Sequence, residues 1–217
     1  MNGAIHGARR LRAASAGNGV LGVLIVLLIG LTLGMGQLEP LFRALFPDLG
    51  NPLYARDSFL NLMLAHIGLV LMSSLISVTI GVAAGLFVTR PVGREFEPMV
   101  SSLAAIGQTF PPAAVLAIAV PLAGFGFAPT IIALSLYGLL PVIQNTIAGL
   151  GTVPRTTLEA ARGNGMNRWQ ILRRVELPLA MPVIIAGIRI SVIVNIGTAT
   201  IGSTVGAKSL GTPLIAG

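Results

Sequence analysis

Long apolar runs separated by short polar stretches make up most of the chain. A helix needs roughly 20 mostly apolar residues to cross the hydrocarbon core of a bilayer. Segments of about that length or longer are Gly19–Leu38, Leu60–Val88, Met99–Leu122, Ala128–Leu150 and Ala180–Ser203. The pattern predicts an all-α fold, a polytopic bundle of membrane-spanning helices.

Composition supports this prediction and excludes several other classes. Apolar residues make up 54% of the chain and charged residues 10%, whereas about a quarter of a soluble protein is charged. The net charge of +7 could suggest nucleic-acid binding, but the basic residues lie in short loops and aromatics are only 5%. The chain has no cysteine, and His6 and His66 are too far apart to form a metal pair, so we expect no metal site.

Charge asymmetry predicts the orientation. Arg9, Arg10 and Arg12 precede a first apolar run that is too long for a typical signal peptide and lacks a clean cleavage site, so it is predicted to be an uncleaved span. Residues 151–179 hold five arginines against two acids, whereas residues 39–59 are slightly acidic. By the positive-inside rule the N-terminus and residues 151–179 are cytoplasmic, and residues 39–59 lie outside.

Small residues recur every four positions in two spans. Lipid supplies no hydrophobic drive between helices, so such stripes allow close backbone packing. Both stripes are predicted to face protein, within this chain or at a subunit interface. Their members are Ser73, Ser77, Gly81 and Gly85 in one span and Gly187, Ser191, Asn195, Ala199 and Ser203 in the other.

Polar residues and prolines interrupt the third and fourth spans. Paired prolines remove backbone donors and kink a helix, which is tolerated at membrane depth where protein or a watery cavity serves the freed carbonyls. Two readings stay open: a solute path and structural hydrogen bonding. The residues concerned are Gln108, Thr109, Pro111 and Pro112 in the third span and Asn145 and Thr146 in the fourth.

The polar segment 155–178 has the signals of a helical elbow. Thr156 and Glu159 fit a capping box, and Asn167 and Gln170 fit a second one. Glycines between the two caps end the first helix, and the second is predicted to run toward the last span.

This segment resembles the EAA loop of ABC import permeases, EAA-x3-G-x9-I-x-LP. Glu159-Ala160-Ala161 is followed by Gly165 and by Val175-x-Leu177-Pro178, with Val175 in place of the isoleucine. Other stretches resemble the osmoprotectant branch, which imports glycine betaine, carnitine and choline. These stretches are Gln108-Thr109-Phe110-Pro111, Tyr137-Gly138-Leu139-Leu140-Pro141, Asn145-Thr146 and Ala186-Gly187-Ile188-Arg189. The resemblance covers residues 60 to 217.

The resemblance implies a MetI-like permease fold and a set of partners. These are an ABC ATPase subunit dimer, a second permease subunit (identical or different) and a periplasmic or lipid-anchored solute-binding protein, at the bacterial inner membrane. The ATPase-coupling residues would be Glu159, Ala160, Ala161, Gly165, Leu177 and Pro178. The chain has no phosphate-binding GxxxxGK[ST] loop and no acidic metal site, so it is expected not to be an enzyme and to need no cofactor.

The implied organisation is a basic cytoplasmic N-terminus at 1–18, a first span and outer loop at 19–59, and a permease core at 60–217 with the coupling loop at 155–178. Two departures from the family stand out. Lys208 and Ser209 occupy a stretch that is usually glycine-rich, which is expected to alter gate geometry, and a further span would be expected after Gly217.

The sequence leaves three alternatives. A methionine-type or other amino-acid importer has the same loop. A secondary transporter would need acidic residues within the spans for ion coupling, and the only deep charge is Arg189, which is expected to pair with polar groups or to snorkel. A membrane scaffold would have no need of a complete EAA loop.

Overall fold

The protein is described by a computed structural model that covers residues 19–50 and 53–216. Every regular element in those ranges is helical, which confirms the predicted all-α class. The helices are α1 (Gly19–Leu45), α2 (Phe59–Val88), α3 (Glu97–Thr109), α4 (Pro112–Ala123), α5 (Phe127–Gly151), α6 (Arg155–Gly163), α7 (Arg168–Ile171), α8 (Leu177–Thr198) and α9 (Thr212–Ala216).

The chain divides into two compact units, residues 1–63 and 64–217. The basic tail, with Arg9, Arg10 and Arg12, lies outside the described residues. In the first unit α1 is apolar and exposed, and it continues beyond the predicted end at Leu38 through a 3-10 turn to Leu45. Part of the predicted outer loop at 39–59 is therefore helical, with an ion pair between Glu39 and Arg43 at 2.7 Å.

The third span is broken, as predicted. Pro111 and Pro112 have no N–H group, and Phe110 leaves the helix in an extended conformation with φ −73° and ψ 140°. The axes of α3 and α4 consequently differ by 99°. Neither α3 nor α4 alone is long enough to cross the bilayer. Only the two helices together could form one span.

Contacts at the two ends of α8 place the start of α3 and the end of α4 far apart along the bundle. At one end, Arg90 before α3 pairs with Glu176 before α8 at 2.7 Å. At the other end, Gly126 after α4 donates its N–H to Val205 after α8 at 2.7 Å. The α3–α4 pair therefore joins opposite ends of the bundle and counts as one span.

Glycines let α2, α5 and α8 approach closely. A methyl group at Gly138 would lie 2.5 Å from the hydroxyl oxygens of both Ser77 and Ser191, and one at Gly187 would lie 2.4 Å from Cβ of Asn145. Contacts this short leave no room for any side chain. The predicted stripes thus face protein, and at least part of their role is packing within this chain.

A polar cluster joins α2, α5 and α8 inside the membrane-spanning part. The Asn195 amide nitrogen donates to the hydroxyls of Ser73 at 3.2 Å and Ser74 at 3.1 Å, and the Ser77 hydroxyl donates to the Ser135 carbonyl at 2.8 Å. All five residues are buried. Hydrogen bonds of this kind between membrane helices typically contribute about 0.6 kcal/mol each, so the cluster mainly specifies which faces meet.

The segment after α8 folds back on itself. Gly206 has φ +82°, a left-handed conformation that glycine adopts without strain. The fully buried Ser209 hydroxyl lies 2.7 Å from the Ser203 hydroxyl and accepts from the Gly211 N–H at 3.0 Å. Ser209 therefore holds this turn together, while Lys208 is exposed; their expected effect on a gate stays a prediction.

Candidate functional site

The first half of the elbow is a short helix with a tight stop. Helix α6 ends at Gly163, and Gly165 follows with φ +77°. The N–H of Met166 donates to the Ala161 carbonyl at 3.1 Å and that of Gly165 to the Arg162 carbonyl at 2.9 Å. This left-handed C-terminal cap explains why glycine occupies position 165.

The start of α6 differs from the prediction. The helix begins at Arg155 directly after Pro154, and no side chain caps it. The predicted capping box of Thr156 and Glu159 is therefore wrong. Pro154 has φ −62° and ψ 136°, and its carbonyl accepts from Thr157 and Leu158, so Thr156 already lies inside the first turn. Its hydroxyl is in no position to serve as the N-cap.

The EAA residues point in two directions. Glu159 and Ala160 are exposed, whereas Ala161 is buried at 7% exposure. Ala161 thus lies on the packed side of α6, and Glu159 lies on its exposed side. Alanine and glycine keep this surface shallow, which suits insertion into a groove.

The second half of the elbow continues into the last span. The predicted capping box is confirmed: the Gln170 N–H donates to the Asn167 side chain and the Asn167 N–H to the Gln170 side chain, both at 2.9 Å. A π-helical turn at Leu172–Glu176 then connects α7 to α8 without a break. Leu177 packs in an apolar cluster with Leu150, Ala180 and Ile184, and Pro178 is exposed in the first turn of α8.

An ion pair that the sequence did not predict links the elbow to α2. Arg90 and Glu176 are 86 positions apart, and their side chains are 33% and 15% exposed. Two grooves of about 860 and 510 Å³ lie beside them. Arginines line both grooves, so this end of the bundle is basic; they are Arg90, Arg94, Arg155, Arg162 and Arg168.

Hydrogen bonds to α5 brace the proline break. Pro141 has no N–H for the Tyr137 carbonyl one turn earlier, and the Gln108 side chain donates to that carbonyl at 2.7 Å. In return the Tyr137 hydroxyl donates to the carbonyl of Phe110, at the break itself. The prolines in both spans are the sequence signal that could have located this pair of hydrogen bonds.

The other predicted path residues differ in exposure. Thr109 and Pro111 are exposed, Pro112 and Asn145 are half-buried, and Thr146 is fully buried. A methyl at Gly85 would lie 2.6 Å from Thr146 Cβ, so Thr146 lies in the α2–α5 interface. Asn145 donates to the Pro141 carbonyl at 2.8 Å, hence Gln108 and Asn145 serve carbonyls four residues apart on α5.

These helices define a polytopic helical membrane protein with a structured, basic elbow at one end. The family of binding-protein-dependent transport system inner membrane components matches residues 77–217. The match spans more than half of the chain, and the chain belongs to this family. It is thus a multi-pass inner-membrane protein.

Similar proteins extend the comparison. The chain is 44% identical to "Osmoprotectant import permease protein OsmY" of Salmonella typhimurium, over 67% of this chain and 62% of the relative. It is 42% identical to "Glycine betaine/carnitine/choline transport system permease protein OpuCB" of Bacillus subtilis, over 61% and 64%. The chain thus spans 62% and 64% of the lengths of these relatives.

Solved structures agree on the fold. Two inward-facing structures of the MetNI methionine ABC transporter contain chains that superpose with TM-scores of 0.60 and 0.63. The first is 25% identical and covers 68% of this chain and 74% of its own; the second is 24% identical, with 70% and 76%. The expected MetI-like fold is therefore confirmed.

Proposed function

We propose that the chain is the membrane-spanning permease subunit of an ATP-driven ABC importer for osmoprotectants. Its solutes would be quaternary ammonium compounds such as glycine betaine, choline or carnitine. These compounds, or osmoprotectants in general, appear in the names of the similar permeases. The observation that carries the proposal is the complete EAA segment, folded as a short helix with Glu159 and Ala160 exposed at the basic end of the bundle.

The coupling residues would divide the work between contact and anchoring. Glu159, Ala160 and Gly165 lie on the exposed part of the elbow and would touch the ATPase subunit. Ala161 and Leu177 are packed into this chain and would pass the movement on. Pro178, in the first turn of α8, is part of the rigid connection.

Movement of the elbow would reach the spans by two routes. One is the unbroken helix from Arg168 to Val205, which carries any tilt directly into the last span. The other is the Arg90–Glu176 ion pair, which ties the elbow to the end of α2. An ATPase dimer that pulls on α6 would thereby rock α2 and α8 together, and α5 with them.

The remaining partners follow from the same proposal. A second permease subunit would complete the path, and a solute-binding protein outside the cell would deliver the solute. The elbow would be cytoplasmic, and so would the N-terminus. Gln108, Asn145 and the exposed Thr109 and Pro111 would border the path, where weak polar groups let a methylated ammonium group pass without trapping it.

A methionine-type importer is the second candidate, because the superposed structures come from a methionine transporter. The test is uptake by a bacterial strain that lacks its own betaine, choline and methionine importers. The full-length protein is produced there together with the ATPase and binding protein proposed as its partners. We expect energy-dependent uptake of labelled glycine betaine, choline or carnitine; uptake of methionine alone would support the second candidate.

A further inference from the structure

Arg189 is the one charged residue within α8, and the packing of that helix fixes where it points. Gly187 and Ser191, two positions before and after it, lie against α5. Because successive residues are about 100° apart around a helix, Arg189 lies on the opposite side. It is exposed there beside Ile185 and Ile193, which are 47% and 61% exposed.

The contacts of its neighbours also give its depth. Gly187 packs at Pro141 and Asn145, and Ser191 packs at Gly138, which is near the middle of the 25-residue α5. Arg189 is therefore close to the centre of the membrane. Either surface is about 15 Å away, farther than an arginine side chain extends, so snorkelling does not relieve it.

No group in the described part of the chain neutralises this charge, since Arg189 makes no hydrogen bond or ion pair there. A charged Arg189 side chain that faced lipid at this depth would cost several kcal/mol of free energy. The five predicted spans offer no carboxylate to pair with it, because none of the seven acids lies within them. What can solvate the guanidinium at this depth is water, or a solute that passes it.

We infer that Arg189 faces the solute pathway at mid-membrane and biases it toward solutes that carry a carboxylate. This inference rests on the proposed function and deepens it. A zwitterion such as glycine betaine can pair its carboxylate with the guanidinium while its methylated ammonium group stays in the wider space. Choline, which carries only positive charge, meets repulsion alone, and inorganic cations meet the same barrier.

The first experiment measures the local charge and needs no transported solute. The chain has no cysteine, so Ile193→Cys, one turn from Arg189, places a single thiol on this face of the full-length protein in its complex. With Arg189 present, an anionic methanethiosulfonate reagent should react about threefold faster than a cationic one. Arg189→Gln should remove that preference, and Arg189→Lys should keep it.

Arg56→Gln removes a positive charge outside the predicted spans and should leave the preference intact. Failure of both reagents to react at position 193 would mean that protein or lipid covers this face, and the inference would be overturned. Reaction with equal preference in the presence and absence of Arg189 would overturn it as well.

The second experiment compares uptake of glycine betaine with uptake of choline in cells that contain equal amounts of assembled complex. Arg189→Gln should lower the betaine-to-choline ratio by about fivefold, and Arg189→Lys should restore it. An unchanged ratio would contradict the specificity role. If the unsubstituted protein imports neither solute, the proposed function fails, while the thiol experiment still decides whether Arg189 faces water.

Discussion

At the scale of single residues, the side chains of Gln108 and Tyr137 brace the break between α3 and α4 by hydrogen bonds to free carbonyls. Pro141 deprives the Tyr137 carbonyl of its helical donor, and the extended conformation of Phe110 leaves its carbonyl outside the helix. Gln108 serves one freed carbonyl and Tyr137 serves another, next to the break. The two readings of Gln108, structural and path-lining, are therefore compatible, because the same side chain is half-buried and still partly open.

Replacing Gln108 tests the brace. Gln108→Leu leaves the Tyr137 carbonyl without its donor, and an unsatisfied buried polar group costs about 1–3 kcal/mol. We expect the low end of that range because the site is half-buried, together with reduced uptake. Thermal unfolding of the detergent-purified complex and uptake in the same cells measure both effects.

Thr109→Val is the matched control, since the exposed Thr109 hydroxyl bonds only to its own helix at Ala105. It should leave the unfolding temperature nearly unchanged. Loss of uptake by Gln108→Leu with no change in thermal stability would contradict the brace and favour a role in the path alone.

Charge reversal at Glu159 tests the coupling surface. Glu159→Lys should leave membrane insertion intact but reduce the ATPase that co-purifies with the chain by about fivefold or more, because a reversed charge at an interface is repelled by its former partner. Uptake should fall in parallel. Glu95→Lys, an exposed reversal in the loop before α3, is the control; equal retention of the ATPase by both variants would refute the assignment.

At the scale of helices, the ion pair of Arg90 and Glu176 links the elbow to the end of α2. Arg90→Glu or Glu176→Arg alone sets like charges face to face at the position of a 2.7 Å contact. The exchanged double variant restores the attraction. Since partly exposed pairs contribute about 1 kcal/mol or less, we expect a modest loss of thermal stability and a larger loss of uptake in each single variant, both recovered in the double variant.

A double-mutant cycle on uptake and on unfolding temperature supplies the measurement. Additive effects of the two single changes would show that the pair does not couple the elbow to α2. Recovery of stability without recovery of uptake would instead indicate that the charges have a separate contact with the ATPase.

At the scale of the whole molecule, crossing number determines on which side each loop lies. With the α3–α4 pair as one span, we expect residues 39–59 outside and the elbow inside. Asp48→Cys should react with an impermeant thiol reagent on intact cells, and Arg168→Cys should react only after the cells are opened. The opposite labelling would invert the orientation.

Much of the fold could be predicted because its signals are local. Each apolar run is long enough to span a bilayer by itself. The capping box of Asn167 and Gln170 depends only on residues three positions apart, so it could be predicted without knowing where the helix lies. The prolines at 111 and 112 likewise predicted the break in the third span. Local rules failed at Thr156, because Pro154 is the N-cap and α6 starts two residues earlier than the polar pattern suggested.

The sequence alone therefore determined the class of protein, the approximate positions of its long apolar helices and the EAA-like segment. Only the tertiary structure decided which partners polar residues find: Arg90 with Glu176, Gln108 with the Tyr137 carbonyl, and Thr146 inside an interface rather than on an open surface. The physical reason is that hydropathy and caps act within one helix, whereas a hydrogen bond or an open face at membrane depth depends on how helices distant in sequence are rotated against each other. The same rotation left Arg189 on the open side of α8.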